Sequence, residues 1–224
     1  MGPVTTDNAL DTPAAPPDPR ASDSLARLAA GTLLLTGAGW LARAVWEIRL
    51  YGAGEPASGL PDQGDGVHRP LTSLENSYHL VSTAGSVLTL LCAAAFLMWL
   101  GRVRDNARAL SGRPPKYAGI WVYLGWVVPV VNLWFPRCIV ADAYWASAAE
   151  RRLPAVVNVW WGLWLAGLLG GFLQQGDADS VIGRAYSEIG PLLVADLAVA
   201  GAAVAGALMV RTVTGAQTAR LAGA

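Results

Sequence analysis

Five apolar stretches alternate with polar, irregular segments along the chain. They cover residues 28–46, 78–101, 117–133, 154–173 and 189–210, and we label them segments A to E in that order. Roughly 20 apolar residues are needed to cross the hydrocarbon core as a helix, so A, B, D and E are long enough whereas C is short. The runs are continuously apolar and do not alternate, which argues against barrel strands. The pattern predicts an all-α integral membrane protein.

Segment B carries recognisable helix boundaries. Thr72 and Glu75 have the spacing of a capping box, in which the threonine oxygen accepts an early backbone N–H. Gly112 and Pro114 predict the end of the same helix. Such a helix is longer than the membrane is thick, so its last turns should project beyond the lipid with the basic residues Arg102, Arg104 and Arg108.

The remaining segments give the domain organisation. Residues 1–24 are acidic and rich in proline and alanine, which is typical of a disordered tail. Residues 25–212 hold all five apolar segments and are expected to form one membrane domain, followed by a tail over 213–224. The stretch 52–69 is dense in glycine, proline and aspartate and predicts an irregular loop outside the bilayer.

Small residues in segments D and E predict close helix packing. Gly167, Gly170 and Gly171 lie in D, and the small pairs Gly201/Ala205 and Ala202/Gly206 lie in E. Helix contacts in lipid favour such residues because backbones can approach one another. We expect D and E to pack within one subunit, with dimerisation through the same faces as the open alternative.

Several of the ten tryptophans lie near segment ends. Trp46 ends A, Trp99 ends B, and Trp134 and Trp145 flank the turn after C. An indole is apolar in body but has one N–H donor, so interfacial belts explain these positions. A cage that stacks a ligand is the alternative interpretation.

Charge and composition exclude several functional classes. The chain is 54% hydrophobic. Its 16 basic and 16 acidic residues give no net charge, so no overall positive field favours the binding of nucleic acid. Two cysteines and two scattered histidines do not form a metal-binding pattern, and no cofactor is expected. A nucleophile with a base, paired carboxylates and a glycine-rich phosphate loop are also missing from the pattern. We therefore do not expect an enzyme.

The basic residues favour one topology. Five full spans would place eight basic residues on each side of the membrane, which gives no orientation bias. If segment C instead enters and returns on one side, twelve basic residues lie on that side and four on the other. This arithmetic predicts four transmembrane helices plus a re-entrant or hairpin segment C in the cell membrane, with both termini cytoplasmic. Positions Ser111 and Ala149 should then face the same side.

Segment C contains two prolines that oppose a continuous helix. Pro129 cannot donate to the carbonyl of Gly125, and Pro136 follows seven residues later. The pattern predicts a broken helix. We expect the amide of Asn132 to hydrogen-bond backbone freed near the break, and the stretch around Asp142 to form an amphipathic returning helix.

The chain from Phe96 to Trp164 resembles an uncharacterised bacterial membrane family, domain of unknown function 4328. Its residues here are Trp99, Arg102, Asn106, Trp126, Pro129, Asn132, Pro136, Asp142, Ser147, Trp160 and Trp161. Two positions depart from the family pattern, which has a basic residue where this chain has Asp105 and a glutamate where it has Asp142. The resemblance implies a helical membrane fold and no known activity, cofactor or catalytic residue.

Two functional hypotheses follow from these features. The first is a non-enzymatic membrane component that binds a partner protein or an anionic lipid through the basic residues between Arg102 and Lys116 and the segment C hairpin. The alternative is small-solute binding or transport at the broken helix from Pro129 to Pro136, because broken helices often form substrate sites in transporters.

Two charges lie within the long apolar segments. Arg43 is near the end of A and Asp196 is about two turns into E. An ionisable group in hydrocarbon costs at least ~2.5 kcal/mol on insertion scales and therefore faces a partner or water. In the four-span topology both charges lie in one leaflet, which predicts an Arg43–Asp196 contact. Glu47, one turn after Arg43, is the competing partner.

Overall fold

The described part of the chain is helical. The computed structural model describes residues 22–61, 69–112, 116–148, 152–173 and 181–223, and these contain no strand beyond one isolated bridge. Within them lie α1 (Asp23–Ala53), α2 (Ser73–Ser111), α3 (Trp121–Val127), a 3-10 turn (Val131–Leu133), α4 (Phe135–Ser147), α5 (Ala155–Leu173), α6 (Val181–Ser187) and α7 (Ile189–Ala222). The predicted all-α class is confirmed.

Three helices, α1, α2 and α7, are long and apolar enough to cross a membrane. The expected fourth span is shorter: the apolar stretch Ala155–Gly171 of α5 covers about 26 Å at 1.5 Å per residue, against ~30 Å for the hydrocarbon core. The structure therefore supports three candidate spans where four plus a re-entrant segment were expected.

Helix α7 occupies the centre of the fold. It packs mainly on α1 and α5 and also contacts α2, α4 and α6. Small residues allow the α5–α7 approach, since a Cβ on Gly170 would lie 3.0 Å from the Cβ of Ala195, and one on Gly167 would lie 2.5 Å from Cγ2 of Val199. The predicted packing of segments D and E is confirmed within this chain.

Helix α2 presents a largely apolar face to the outside. Large exposed apolar side chains along it are Leu80, Val87, Leu90, Leu91 and Met98. A row of large exposed apolar side chains along one helix is rare in water-soluble monomers. Contact with lipid chains would remove these side chains from water. The length and hydropathy of α2 and this outer face thus point to the same environment.

Both predicted ends of α2 are confirmed. The Thr72 side chain accepts from the backbone N–H of Glu75, and the Glu75 carboxylate accepts from the N–H of Thr72 at 2.7 Å. Gly112 ends the helix in the left-handed region at φ 62°, where its N–H donates to Arg108. At 39 residues the helix is about 58 Å long, so it exceeds the thickness of the hydrocarbon core.

Segment C is broken as predicted. Helix α3 ends at Val127, and Val130 adopts φ 68°, a conformation that β-branched residues rarely take. Pro136 lies in the first turn of α4, where a missing N–H costs nothing. Helix α4 then runs back along α3 and packs against α2 and α7.

The two expected tails differ in outcome. Residues 1–21 of the acidic N-terminal segment lie outside the described residues, and α1 begins at Asp23. Helix α7 continues as far as Ala222 through the expected tail over 213–224. Its last turns bury Val213, Thr214 and Gln217 against other helices, which the hydropathy pattern did not indicate.

Candidate functional site

The termini of the packed helices lie at two ends of the protein, which we call the near end and the far end. The near end holds the start of α1 and the ends of α2, α4 and α7, and the far end holds the end of α1, the start of α2 and α6. Asn106 contacts Gln217 at the near end, and Arg43 contacts Asp196 toward the far end. Each end carries its own polar cluster.

A basic cleft of about 490 Å³ opens at the near end between α2, α4 and α7. Among the described residues, its lining has one acidic side chain, Asp142, and four cationic ones: Arg104, Arg108, Lys116 and Arg220. None of the four forms an ion pair with a carboxylate among the described residues. The cleft therefore has an excess of positive charge.

Backbone carbonyls hold two of the four cations of the basic cleft. Arg104 donates to the carbonyl of Tyr117 at 2.5 Å, and Arg220 donates to the carbonyls of Ala146 and Leu110 at 3.2 and 3.4 Å. The carboxylate of Asp142 accepts the backbone N–H of Lys116 at 3.2 Å. The bonds to carbonyls hold Arg104 and Arg220 without neutralising their charge.

A buried polar network lies beneath the basic cleft and joins three helices. Gln217 of α7, with no exposed surface, donates to the carbonyl of Val103 at 2.7 Å and to the hydroxyl of Ser147 at 2.9 Å. It accepts from the amide of Asn106 at 3.4 Å. Because buried polar groups are costly when unpaired, this network fixes how α2, α4 and α7 meet.

Trp99 belongs to the core of the protein. It has no exposed surface, and its indole N–H donates to the hydroxyl of Thr214 at 3.0 Å. The interfacial position predicted for Trp99 is therefore wrong, because its helix face points toward α7. Trp134 and Trp145 are about half exposed, as an interfacial position requires. Trp46 packs against a buried group at the far end that includes Leu50 and Ile182.

Aromatic side chains connect segment C to the long helices. Trp126 of α3 meets Phe96 of α2 edge-on at 5.4 Å between centroids, and meets Trp164 of α5 edge-on at 5.8 Å. Trp160 and Trp161 continue the cluster along α5. An apolar cleft of about 300 Å³ lies beside the cluster, lined also by α1 and α7.

The break in segment C is stabilised by backbone and not by the Asn132 side chain. Val131 N–H donates to Pro129, Asn132 N–H to Val128, and Leu133 N–H to Val130. The side-chain Oδ1 of Asn132 is buried and has no hydrogen-bond partner among the described residues. Among the described residues, no hydrogen bond runs from the Asn132 side-chain amide to backbone, and local backbone N–H groups occupy the carbonyls of Val128, Pro129 and Val130.

The structure does not bring all the motif residues into one site. Trp99 and Asn106 join the core contacts with α7, and Trp126, Trp160 and Trp161 form the aromatic cluster. Asp142 lines the basic cleft, Arg102 is half-buried on the turn after Trp99, and Pro129 and Pro136 flank the break. Thr214 and Gln217 were missed because they lie beyond the expected end of the domain.

The predicted Arg43–Asp196 contact is confirmed. Arg43 Nε donates to Asp196 Oδ2 at 2.9 Å and Nη2 to Oδ1 at 2.5 Å, so the guanidinium is bidentate. The competing partner is also present, with Glu47 Oε1 3.3 Å from the same Nε. Trp40 covers the guanidinium at 4.3 Å from its ring centroid. We call Arg43, Glu47, Tyr78 and Asp196 the buried charge cluster.

A second ion pair anchors the far end. Arg69 donates to both oxygens of Glu75 at 2.8 and 2.7 Å, and Tyr186 of α6 donates to Glu75 at 2.8 Å. Burial, with the nearby Glu75 carboxylate, raises the pKa of Tyr186 to about 12. The phenol thus remains a donor at neutral pH and ties α6 to the start of α2.

Within the described ranges, no group of three or more histidine, cysteine, aspartate or glutamate side chains could hold a metal ion. A family model described as "Domain of unknown function (DUF4328)" matches residues 73–215. No curated protein and no solved structure matches the chain. The match covers α2 through most of α7, whereas Gln217 of the polar network and Arg220 of the basic cleft lie beyond its end.

Proposed function

Because the chain belongs to the DUF4328 family, whose description assigns no activity, we propose its function from its own geometry. It is an integral membrane protein without enzymatic activity that binds an anionic lipid headgroup in the basic cleft. The observation that carries this proposal is the surplus of positive charge there, with four cations around one aspartate.

The dimensions and electrostatics of the basic cleft support a phosphate-bearing headgroup. Its volume of about 490 Å³ lies within the ~300–1,000 Å³ of small-molecule sites. Arg108, Lys116 and Arg220 are exposed, so their donors are accessible to a ligand. Each basic residue near an anionic surface contributes on the order of 1 kcal/mol.

We place the near end at the cytoplasmic face, with α5 as the fourth span and α3 with α4 as a hairpin that enters and returns on that side. The twelve-to-four division of basic residues supports this orientation. Anionic lipids are concentrated in the cytoplasmic leaflet, where the basic cleft would meet them. Both termini then lie in the cytoplasm of the cell.

Lipid titration followed by native mass spectrometry tests the proposal. The purified protein is titrated with phosphatidylglycerol or phosphatidylcholine, and Arg108→Glu is compared with Arg49→Glu, an exposed far-end control. Reversing Arg108 changes the local charge by two units, or about 2 kcal/mol, which corresponds to roughly thirtyfold weaker phosphatidylglycerol binding. We expect this loss in Arg108→Glu only.

Other results of the titration contradict the proposal. Equal binding of both lipids, or equal losses in the two variants, would show that the basic cleft does not select a headgroup. A protein that copurifies with the wild type but not with Arg108→Glu, without lipid selectivity, would indicate a protein partner for the same surface.

A second candidate function is small-solute binding at the broken helix from Pro129 to Pro136. Two buried polar atoms of this region, Asn132 Oδ1 and Trp126 Nε1, have no hydrogen-bond partner among the described residues. A solute with one donor and one acceptor group would satisfy both. In this case Asn132→Leu releases a solute that the wild type retains in native mass spectra, whereas retention by both proteins removes the candidate.

A further inference from the structure

Arg43 is shared between two carboxylates where α1 meets α2 and α7. Asp196 takes both directed hydrogen bonds of the guanidinium, and it is 1% exposed. Glu47 lies on the next turn of α1, has no exposed surface, and approaches the same Nε atom at 3.3 Å. The positive charge of Arg43 is therefore already matched by Asp196.

Glu47 has few donors of its own. Its Oε1 accepts the hydroxyl of Tyr78 at 3.3 Å, a long bond from a neutral group. Its Oε2 is buried and has no hydrogen-bond partner among the described residues. An ionised carboxylate normally accepts several hydrogen bonds, so this environment does not support a negative charge on Glu47.

Among the residues that the structure describes, the neighbouring elements bring no further cation into an ion pair with Glu47. Helix α2 contributes Tyr78, while His79 on the same helix is exposed. Helix α7 contributes Asp196, which adds negative charge. Helix α6 also packs on α1, but Tyr186 donates to Glu75, and Arg184 forms no ion pair with Glu47. Two ionised carboxylates would thus leave one net negative charge buried among helices.

We propose that the buried charge cluster is a proton-binding site and that the carboxyl group of Glu47 carries the proton. One proton taken from water makes the Arg43–Asp196–Glu47 group neutral, with no change in oxidation state. Asp196 determines whether Glu47 is protonated, because its negative charge already neutralises the Arg43 guanidinium. Buried charges in a membrane are costly unless paired, so the neutral state is the stable one.

Infrared spectroscopy of the purified protein in lipid tests this assignment through the C=O stretch of a protonated carboxylic acid. The wild type at neutral pH should show one such band, which moves on exchange into deuterated water. The band should disappear in Glu47→Gln, which has the shape of the protonated acid and should fold normally. Asp142→Asn, which changes an aspartate of the basic cleft, should keep the band.

Asp196→Asn separates the proposal from a general effect of burial. Without the Asp196 charge, Arg43 pairs with Glu47, so Glu47 should ionise and the band should vanish although Glu47 is still present. A band that persists in Asp196→Asn, or in Glu47→Gln, overturns the proposal. If Asp196→Asn does not fold, the wild-type band must disappear reversibly as the pH is raised. A band that depends on sodium at fixed pH would instead assign the site to a metal cation.

Discussion

Replacement of Gly167 by alanine tests the contact between α5 and α7. An added Cβ would lie 2.5 Å from Cγ2 of Val199, 3.4 Å from its backbone N and 3.6 Å from the carbonyl of Ala195. Carbon atoms normally pack at about 3.5–4.0 Å, so one helix or the Val199 side chain must move by roughly 1 Å. Valine in a helix has one strongly preferred rotamer, and rotation therefore does not relieve the contact cheaply.

The expected cost follows from two opposing contributions. Overpacking of a well-filled contact destabilises by about 1–3 kcal/mol. Glycine to alanine within a helix stabilises by up to about 1 kcal/mol. Gly162→Ala in the same helix is the control. Nothing lies within 4 Å of its added Cβ, so this variant gains the helix-propensity stabilisation without overpacking. We therefore expect Gly167→Ala to be about 1–3 kcal/mol less stable than Gly162→Ala.

Reversible unfolding in mixed micelles of mild detergent and dodecyl sulfate measures this difference as a free energy of unfolding. Val199→Ala removes the methyl groups that the new Cβ meets, so Gly167→Ala should cost less in that background, and a double-mutant cycle isolates the contact. Equal stabilities of Gly167→Ala and Gly162→Ala would refute the close approach of α5 and α7.

Three further predictions concern the two ends of the protein. Gln217→Leu removes three hydrogen bonds from the buried network and should lower the free energy of unfolding by about 1–3 kcal/mol, whereas an unchanged value would deny the network a role. The pKa of Tyr186 rises from 10.0 to about 12 in the folded state. The neutral phenol should therefore contribute fully to the free energy of unfolding below pH ~10, and this contribution should be lost as the pH rises through ~12. An alkaline pH titration of stability should show this step in the wild type and not in Tyr186→Phe. In a protein whose two native cysteines have been replaced, single cysteines at Ser111 and Ala149 should react with a thiol reagent from the same side of the membrane. Ala149 lies outside the described residues. Labelling of the two positions from opposite sides would contradict the hairpin.

Sequence reasoning succeeded where the chemistry left few choices. A charge inside an apolar helix must find a partner, and Arg43 and Asp196 were the two charges within the long segments, so their contact could be predicted. The start of α2 was also predictable, because Thr72 and Glu75 satisfy one another within three residues. Both inferences depend on local rules or on strong energetic costs.

Other features depend on tertiary packing that hydropathy does not encode. Trp99 and Trp134 both lie near a segment end, yet one is fully buried and the other is half exposed, because their faces point in different directions. Gln217 looks like a residue of a polar tail, but the three-helix contact at the near end buries it. Asn132 makes no side-chain bond to the Pro129 turn among the described residues, and the carbonyls of Val128, Pro129 and Val130 accept from nearby backbone N–H groups instead.

Helix α7 carries one anchor toward each end of the protein, Asp196 and Gln217. They are separated by roughly six turns, and at about 100° per residue they lie about 60° apart around the helix axis. The direction in which each anchor points is fixed by hydrogen bonds to other helices, from Arg43 for Asp196 and to Val103 and Ser147 for Gln217. Insertion of a single residue between them would rotate one anchor by about 100° relative to the other, so the number of residues in this interval is as constrained as the anchors themselves.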